Sequence, residues 1–130
     1  MDEEVVILCD TDVIIEFYKN NQKIVSELHL IGEKNIAIST ITSAELIFGA
    51  INKKELKQIK KDIKNLKTLH LNHQTEKIFL QLLEKYSLSH NLKIPDALIA
   101  SSAIANEVKL FTLNKKDFKF IQELNLYQFA

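Results

Sequence analysis

The chain has 130 residues, 46% apolar and 26% charged, with 17 acidic residues balanced by 17 basic ones that are all lysine. A chain of this length buries roughly two thirds of its unfolded surface, so residues 1–130 are expected to form one domain with no disulfide or structural metal, and a single Cys9 excludes an internal bridge. No apolar run reaches the ~20 residues of a membrane span, and the acidic start Met1-Asp2-Glu3-Glu4 is the reverse of a signal peptide's basic one, so a cytoplasmic protein is expected; the balanced charge argues against a general nucleic-acid coat, and the lack of arginine excludes sequence readout through arginine.

Val5-Val6-Ile7-Leu8-Cys9 is a β-branched apolar run without alternation, which predicts a strand buried on both faces of a parallel sheet. Helices are predicted from about Asp12 to Asn20 and from Gln22 to Ile31, the second closed by Gly32. Ile36-Ala37-Ile38 reads as a second strand. From Thr42, Leu46, Ile47, Ala50 and Ile51 recur at helical spacing, and Leu56, Ile59, Ile63 and Leu66 continue it, predicting a helix pair or one bent helix with Gly49 near the joint. A short strand over Thr68–Leu71 is followed by a helix from Thr75 to about Tyr86, and Pro95 opens another through Ala105. Val108–Leu113 is strand-like, Asp117 to about Leu124 looks helical, and Leu126–Phe129 fits a last strand. Strands alternating with helices predict an α/β fold, a central, mostly parallel sheet flanked by helices, whose sites lie beyond the carboxyl ends of the strands.

The acids fall where that rule directs attention. Asp10 directly follows the first strand, yet it or Asp12 would serve equally as an N-cap worth ~1 kcal/mol. Thr42-Ser43-Ala44-Glu45 fits a capping box, which by itself explains Glu45. Asp96, after Pro95, lies in a helix's first turn, where the dipole favours an anion. Asp117 again follows a strand and precedes a predicted helix. All four lie toward helix N-termini, so a parallel sheet would gather them at one edge. Two unit charges about 4 Å apart at an effective dielectric of ~20 repel by about 4 kcal/mol, so such a group needs cations or protons. All-oxygen ligands suit magnesium or manganese rather than zinc, and phosphodiester hydrolysis is the chemistry that most often uses them.

Four stretches then carry a resemblance over nearly the whole chain: Leu8-Cys9-Asp10-Thr11-Asp12-Val13-Ile14-Ile15, Ser39-Thr40-Ile41-Thr42-Ser43-Ala44-Glu45-Leu46-Ile47-Phe48-Gly49, Pro95-Asp96-Ala97-Leu98-Ile99-Ala100 and Phe111-Thr112-Leu113-Asn114-Lys115-Lys116-Asp117-Phe118. In this order and spacing they resemble the PIN-domain nucleases, and among them the VapC-like toxins of type II toxin–antitoxin pairs. The resemblance implies a PIN-like fold in which Asp10, Glu45, Asp96 and Asp117 bind Mg2+ or Mn2+, with Thr11, Thr112 and Asn114 as polar support. Asp12 stands where the family often has Asn, and Asn114 where some members carry an acid. The implied activity is metal-dependent endoribonuclease cleavage by an activated water, without a covalent intermediate. The implied partners are an RNA substrate, a small antitoxin protein over the acidic groove, and a second copy of the chain in a homodimer.

Other features fit this reading or stand apart from it. Lys115 and Lys116, beside Asp117, are placed to meet an RNA phosphate. Seven lysines between Asn52 and Lys67 fit a solvated helix face, with RNA contact as the sharper alternative. His70 and His73 lack the further ligands of a zinc site, Cys9 reads as a small core residue, and His29 and His90 as surface or partly buried histidines. A phosphorelay receiver domain would need a phospho-accepting Asp after a central strand, and between Lys53 and Asn91 there is only Asp62, within a predicted helix. A PIN nuclease of RNA processing or decay without an antitoxin, and a non-catalytic acidic-pocket binding or signalling domain, remain the alternatives.

Overall fold

The computed structural model describes residues 5–129, so the acidic start Met1–Glu4 lies outside the described residues. Four strands, β1 (Ile7–Cys9), β2 (Ile36–Ser39), β3 (Lys67–Leu69) and β4 (Lys109–Phe111), form one sheet in the order β3-β2-β1-β4. Every pairing is parallel: Leu8 lies opposite Ala37 and Leu110, and Ile38 opposite Thr68. All four carboxyl ends therefore point one way, and the strand order reverses at β1, which opens a crevice between the ends of β1 and β4.

Six helices cover the sheet: α1 (Thr11–Tyr18), α2 (Gln22–Ile31), α3 (Thr40–Phe48), α4 (Lys53–Asn65), α5 (His73–His90) and α6 (Ile94–Ala105). Side chains alternate across each strand, which divides the core in two. Leu8, Ala37 and Leu110 face Leu82 and Tyr86 of α5 and Ala97, Ala100 and Ala103 of α6. Ile7, Cys9, Ile36, Ile38 and Phe111 face Val13, Ile24, Leu28, Leu46 and Ile59 of the first four helices. Buried Ala97, Ala100 and Ala103 let α6 lie close under the sheet, and the Ser101 and Ser102 hydroxyls bond back to the Leu98 carbonyl at 2.8 and 3.1 Å. No helix among the described residues is long and apolar enough to cross a membrane.

The α1–α2 and α3–α4 pairs, the Gly32 stop at φ 93° and the helix opened by Pro95 follow the sequence reading. Three local expectations do not. Helix α3 starts at Thr40, with Ser39 as its N-cap accepting from Thr42 N at 3.2 Å, so the Thr42–Glu45 capping box does not form. Strand β2 runs straight into the helix, and the last extended residue takes the capping position. The helix expected over Asp117–Leu124 is instead a 3-10 turn at Lys115–Asp117 followed by further turns. Buried Phe118, Ile121 and Leu124 are three residues apart because the turns close from i to i+3, Ile121 N on Phe118 O and Leu124 N on Ile121 O, a spacing that imitates an α-helical stripe. The expected last strand is reduced to one bridge, Leu110 with Leu126.

Phe111 is fully buried at the end of β4, its ring 5.0 Å from Tyr127 and 5.2 Å from Phe129. Phe111→Ala is expected to cost about 3–5 kcal/mol, read as a lower urea midpoint at unchanged slope.

Candidate active site

Asp10 stands where β1 gives way to α1, at the crevice where the strand order reverses. Its backbone N–H bonds Phe111 O of β4 at 2.8 Å, its Oδ1 accepts from Thr11 N at 2.8 Å, and its Oδ2 accepts from the Thr112 hydroxyl at 2.8 Å. It is thus both the N-cap of α1 and a carboxylate at the edge of the sheet, so the two readings of Asp10 describe one residue. Burial pushes its pKa up, the two hydrogen bonds oppose that, and Glu45 and Asp117 add to the rise.

Glu45 lies in the middle of α3 rather than at its start. Freed from the cap, its Oε1 accepts from the Thr11 hydroxyl at 2.6 Å. The Thr11 and Thr42 hydroxyls lie 3.0 Å apart and Ser39 Oγ is 3.4 Å from Thr42 Oγ1, which extends the contact into the buried end of β2. Asp96 occupies the first turn of α6, after Pro95. Its pKa is pushed up to about 6, first by burial, then by the charges of Asp10, Asp117 and Glu45. Asp117 ends the 3-10 turn after β4, where Asn114 Nδ2 donates to its Oδ2 at 2.6 Å. Asn114 N in turn donates to Thr112 Oγ1 at 3.1 Å, so one short loop positions the partners of both Asp10 and Asp117.

The fold therefore brings the four acids within electrostatic reach of one another, as Asp96 registers the other three. Among the described residues, no three Asp, Glu, His or Cys side chains are placed closely enough together to hold a metal ion as they stand. The candidate donors for a cation are these four carboxylates, an all-oxygen set whose side chains would have to draw together to share one ion. Asp96, Asp117 and Lys116 line a groove of about 820 Å³. Lys115 is turned elsewhere: its Nζ donates to Phe129 O at 2.8 Å, tying the loop to the C-terminal segment.

The structure adds a fifth acid. Asp12 Oδ2 accepts from Leu113 N at 3.2 Å, its Oδ1 is buried with no hydrogen-bond partner among the described residues, and burial followed by the Asp10 charge raises its pKa to about 6. Its place two residues after Asp10, in the first turn of α1, was the available signal. In the sequence Thr42 fits a helix cap; in the fold its hydroxyl links Ser39 to Thr11. Cys9 is buried on the other side of Asp10, and its thiol is pushed up to about 12, first by burial and then by Asp10 and Asp12, as suits an unreactive core residue.

Comparisons with known proteins identify the fold and the family. The PIN domain model matches residues 7–124. The chain is 32% identical over 129 residues to Ribonuclease VapC1 of Methanocaldococcus jannaschii, covering 95% of this chain and 87% of that protein. Its fold matches a chain of VapBC2 from Rickettsia felis bound to a promoter DNA fragment, with a TM-score of 0.81, 27% identity, and coverage of 97% of this chain and 100% of that one. It also matches a chain of VapBC-1 from nontypeable Haemophilus influenzae, with a TM-score of 0.78, 28% identity, and coverage of 95% and 98%. A four-stranded parallel sheet flanked by helices, matched over residues 7–124, defines this chain as a PIN domain. This chain belongs to the PIN-domain family, as a VapC-like member.

The raised pKa values have a sign that can be tested. An Asp that titrates near 3.8 unfolded and about 6 folded imposes no penalty below pH 4, and its full penalty above pH 6. In chelator, Asp96→Asn is therefore expected to raise the thermal midpoint at pH 7.5 and to leave it nearly unchanged at pH 4. A variant less stable than wild type at pH 7.5 would contradict the crowding of charge.

Proposed function

We propose that this chain is a Mg2+- or Mn2+-dependent endoribonuclease and the toxin of a toxin–antitoxin pair. The observation that carries the reading is the hydrogen-bonded frame at the end of the sheet, in which Thr11 joins Asp10 to Glu45, and Thr112 and Asn114 join Asp10 to Asp117, with Asp96 beside Asp117 on the groove. The ribonuclease assignment is supported by the VapC1 relative, and the toxin assignment by structural neighbours that are VapBC complexes.

The donor set fits a hard divalent cation: four carboxylates, no thiolate or imidazole among them, in mutual repulsion that positive charge would relieve. Asp10, Glu45, Asp96 and Asp117 would hold the ion, which when bound acts as a Lewis acid on the phosphate and lowers the pKa of water. The chain's own contribution is orientation. Thr11 N and the Thr112 hydroxyl occupy one lone pair on each oxygen of Asp10 and fix its plane. The Thr11 hydroxyl holds Glu45, and the Asn114 amide holds Asp117. Lys116 offers a positive charge to a phosphate at the groove wall, without arginine's bidentate geometry.

For the antitoxin, α1 exposes Ile15, Phe17 and Tyr18, and the end of α3 with the link that follows exposes Phe48 and Ile51, Phe48 at 92%. An apolar surface of this kind suits a partner chain. A second copy of the protein would complete the homodimer.

The test is cleavage of a labelled structured RNA in Mg2+ or Mn2+, beside chelator and an identically purified Asp96→Asn protein. Cleavage is expected to stop in chelator and to fall by about a hundredfold or more in the variant. Equal cleavage by wild type and variant would assign the activity to a contaminant. Thr112→Val, which removes only the hydroxyl from Asp10, is expected to weaken Mn2+ binding by roughly 10- to 100-fold, measured by calorimetry.

A further inference from the structure

Along the groove beside Asp96 and Asp117 lies a set of side chains that the carboxylates do not explain. The rings of His90 and Phe120 stack face to face, with centroids 4.5 Å apart and an interplanar angle of 9°. Tyr86 supports both, edge-on to Phe120 at 5.4 Å and to His90 at 5.8 Å. Tyr86 is itself buried, its hydroxyl donating to Glu123 at 2.7 Å and accepting from Gln122 N at 3.2 Å. Ser89 Oγ lies 2.7 Å from His90 Nδ1 and holds the imidazole from its own helix. The pair is therefore anchored through Tyr86 in the core, while His90 is exposed at the groove.

The backbone explains the position. Asn91, at φ 55° and ψ 40°, ends α5 in the left-handed conformation immediately after His90 and turns the chain into Lys93, the N-cap of α6. Lys93 thus stands on one side of the groove, with Lys116 and Lys119 on the other. All three are exposed, and none is in an ion pair among the described residues. The groove joins a flat aromatic surface and three free positive charges to the acidic edge where Asp96 and Asp117 stand.

We propose that this groove is a subsite for an unpaired nucleotide of the RNA, its base stacked on His90 and its flanking phosphates beside Lys93, Lys116 and Lys119. The proposal rests on the ribonuclease reading above and adds the form of RNA selected. Every base has a π face, so stacking tolerates sequence, but a base within a duplex has no free face to offer. Lysines supply charge without base readout, so the subsite distinguishes unpaired from paired RNA rather than one sequence from another.

The test is fluorescence anisotropy of the full chain with a short unpaired RNA and with the same strand in a duplex, without divalent cations. Wild type is expected to bind the unpaired strand more tightly. His90→Ala is expected to weaken unpaired-strand binding by about fivefold or more and to leave duplex binding unchanged, while His90→Tyr, which keeps a ring, restores most of the loss. Lys116→Gln with Lys119→Gln is expected to weaken both and to reduce the slope of log affinity against log salt for the single strand by about 1.4. Circular dichroism controls for folding. Wild-type affinity in folded His90→Ala, equal loss for both RNA forms, or no binding of unpaired RNA by wild type overturns the subsite. Cleavage in Mg2+ separates the two readings: cutting that depends on Asp96 but not on His90 removes the subsite and leaves the nuclease. Binding through His90 with no cutting removes the nuclease and leaves the subsite.

Discussion

The carboxylate of Asp10 is held at the one point in the sheet where holding it is costly. Burial and the neighbouring Glu45 and Asp117 charges favour its protonated form, while Thr11 N and the Thr112 hydroxyl favour the anion. Those two donors come from opposite sides of the crevice, one from the first turn of α1 and one from the end of β4. The β1–β4 pairing sets both, since Cys9 lies opposite Phe111 and places Asp10 beside Thr112. Other parts of the site depend on this pairing: Thr112 also receives the Asn114 N–H, and Asn114 holds Asp117. A slip of one residue between β1 and β4 would turn Phe111 out of its core and carry the loop away from Asp10.

Much of this was legible in the residues. An apolar β-branched run without alternation fits a strand buried between helix layers, and Ile7–Cys9 is that strand, with Asp10 at its carboxyl end; Val5, expected within it, lies outside and is exposed. Pro95 and Gly32 marked helix boundaries for reasons of covalent geometry that tertiary packing does not override. Glu45 does meet α1, through Thr11, but from the middle of α3 rather than from its first turn. Ser39 and Thr42 both have capping side chains, and the choice between them depends on where β2 stops, which is set by its pairing with β3. The stretch after Asp117 misled for a similar reason. Phe118, Ile121 and Leu124 satisfy the periodicity of a helix and of successive 3-10 turns alike, and only the hydrogen bonds distinguish them.

Lys115 and Lys116 show the limit of reading adjacent residues as one feature. In sequence they form a basic pair beside Asp117. In the fold, a 3-10 turn sends them in different directions, one to the Phe129 carbonyl and one to the groove. The positive charge that reaches the groove beside Lys116 comes from Lys93 and Lys119, which no local pattern associates. Lys93 arrives there because Asn91 reverses the chain between α5 and α6, and α6 can follow α5 so closely because its buried face is alanine and serine.

This division of labour bears on how a chain without arginine selects a substrate. Point charges on flexible stems attract phosphates without fixing their orientation, and they act alike on every sequence. Orientation has to come from rigid groups, and those that face the groove are the Asp96 carboxylate on its helix and the ring stack based on buried Tyr86. Their separation is set by the α5–α6 hairpin and by the loop after β4, both anchored in the same face of the core. Selection in the proposed site therefore follows from the shape and strandedness of the RNA. On that proposal, a substitution that shifts α6 on α5 would change which RNAs are accepted even where every acid and lysine remained in place.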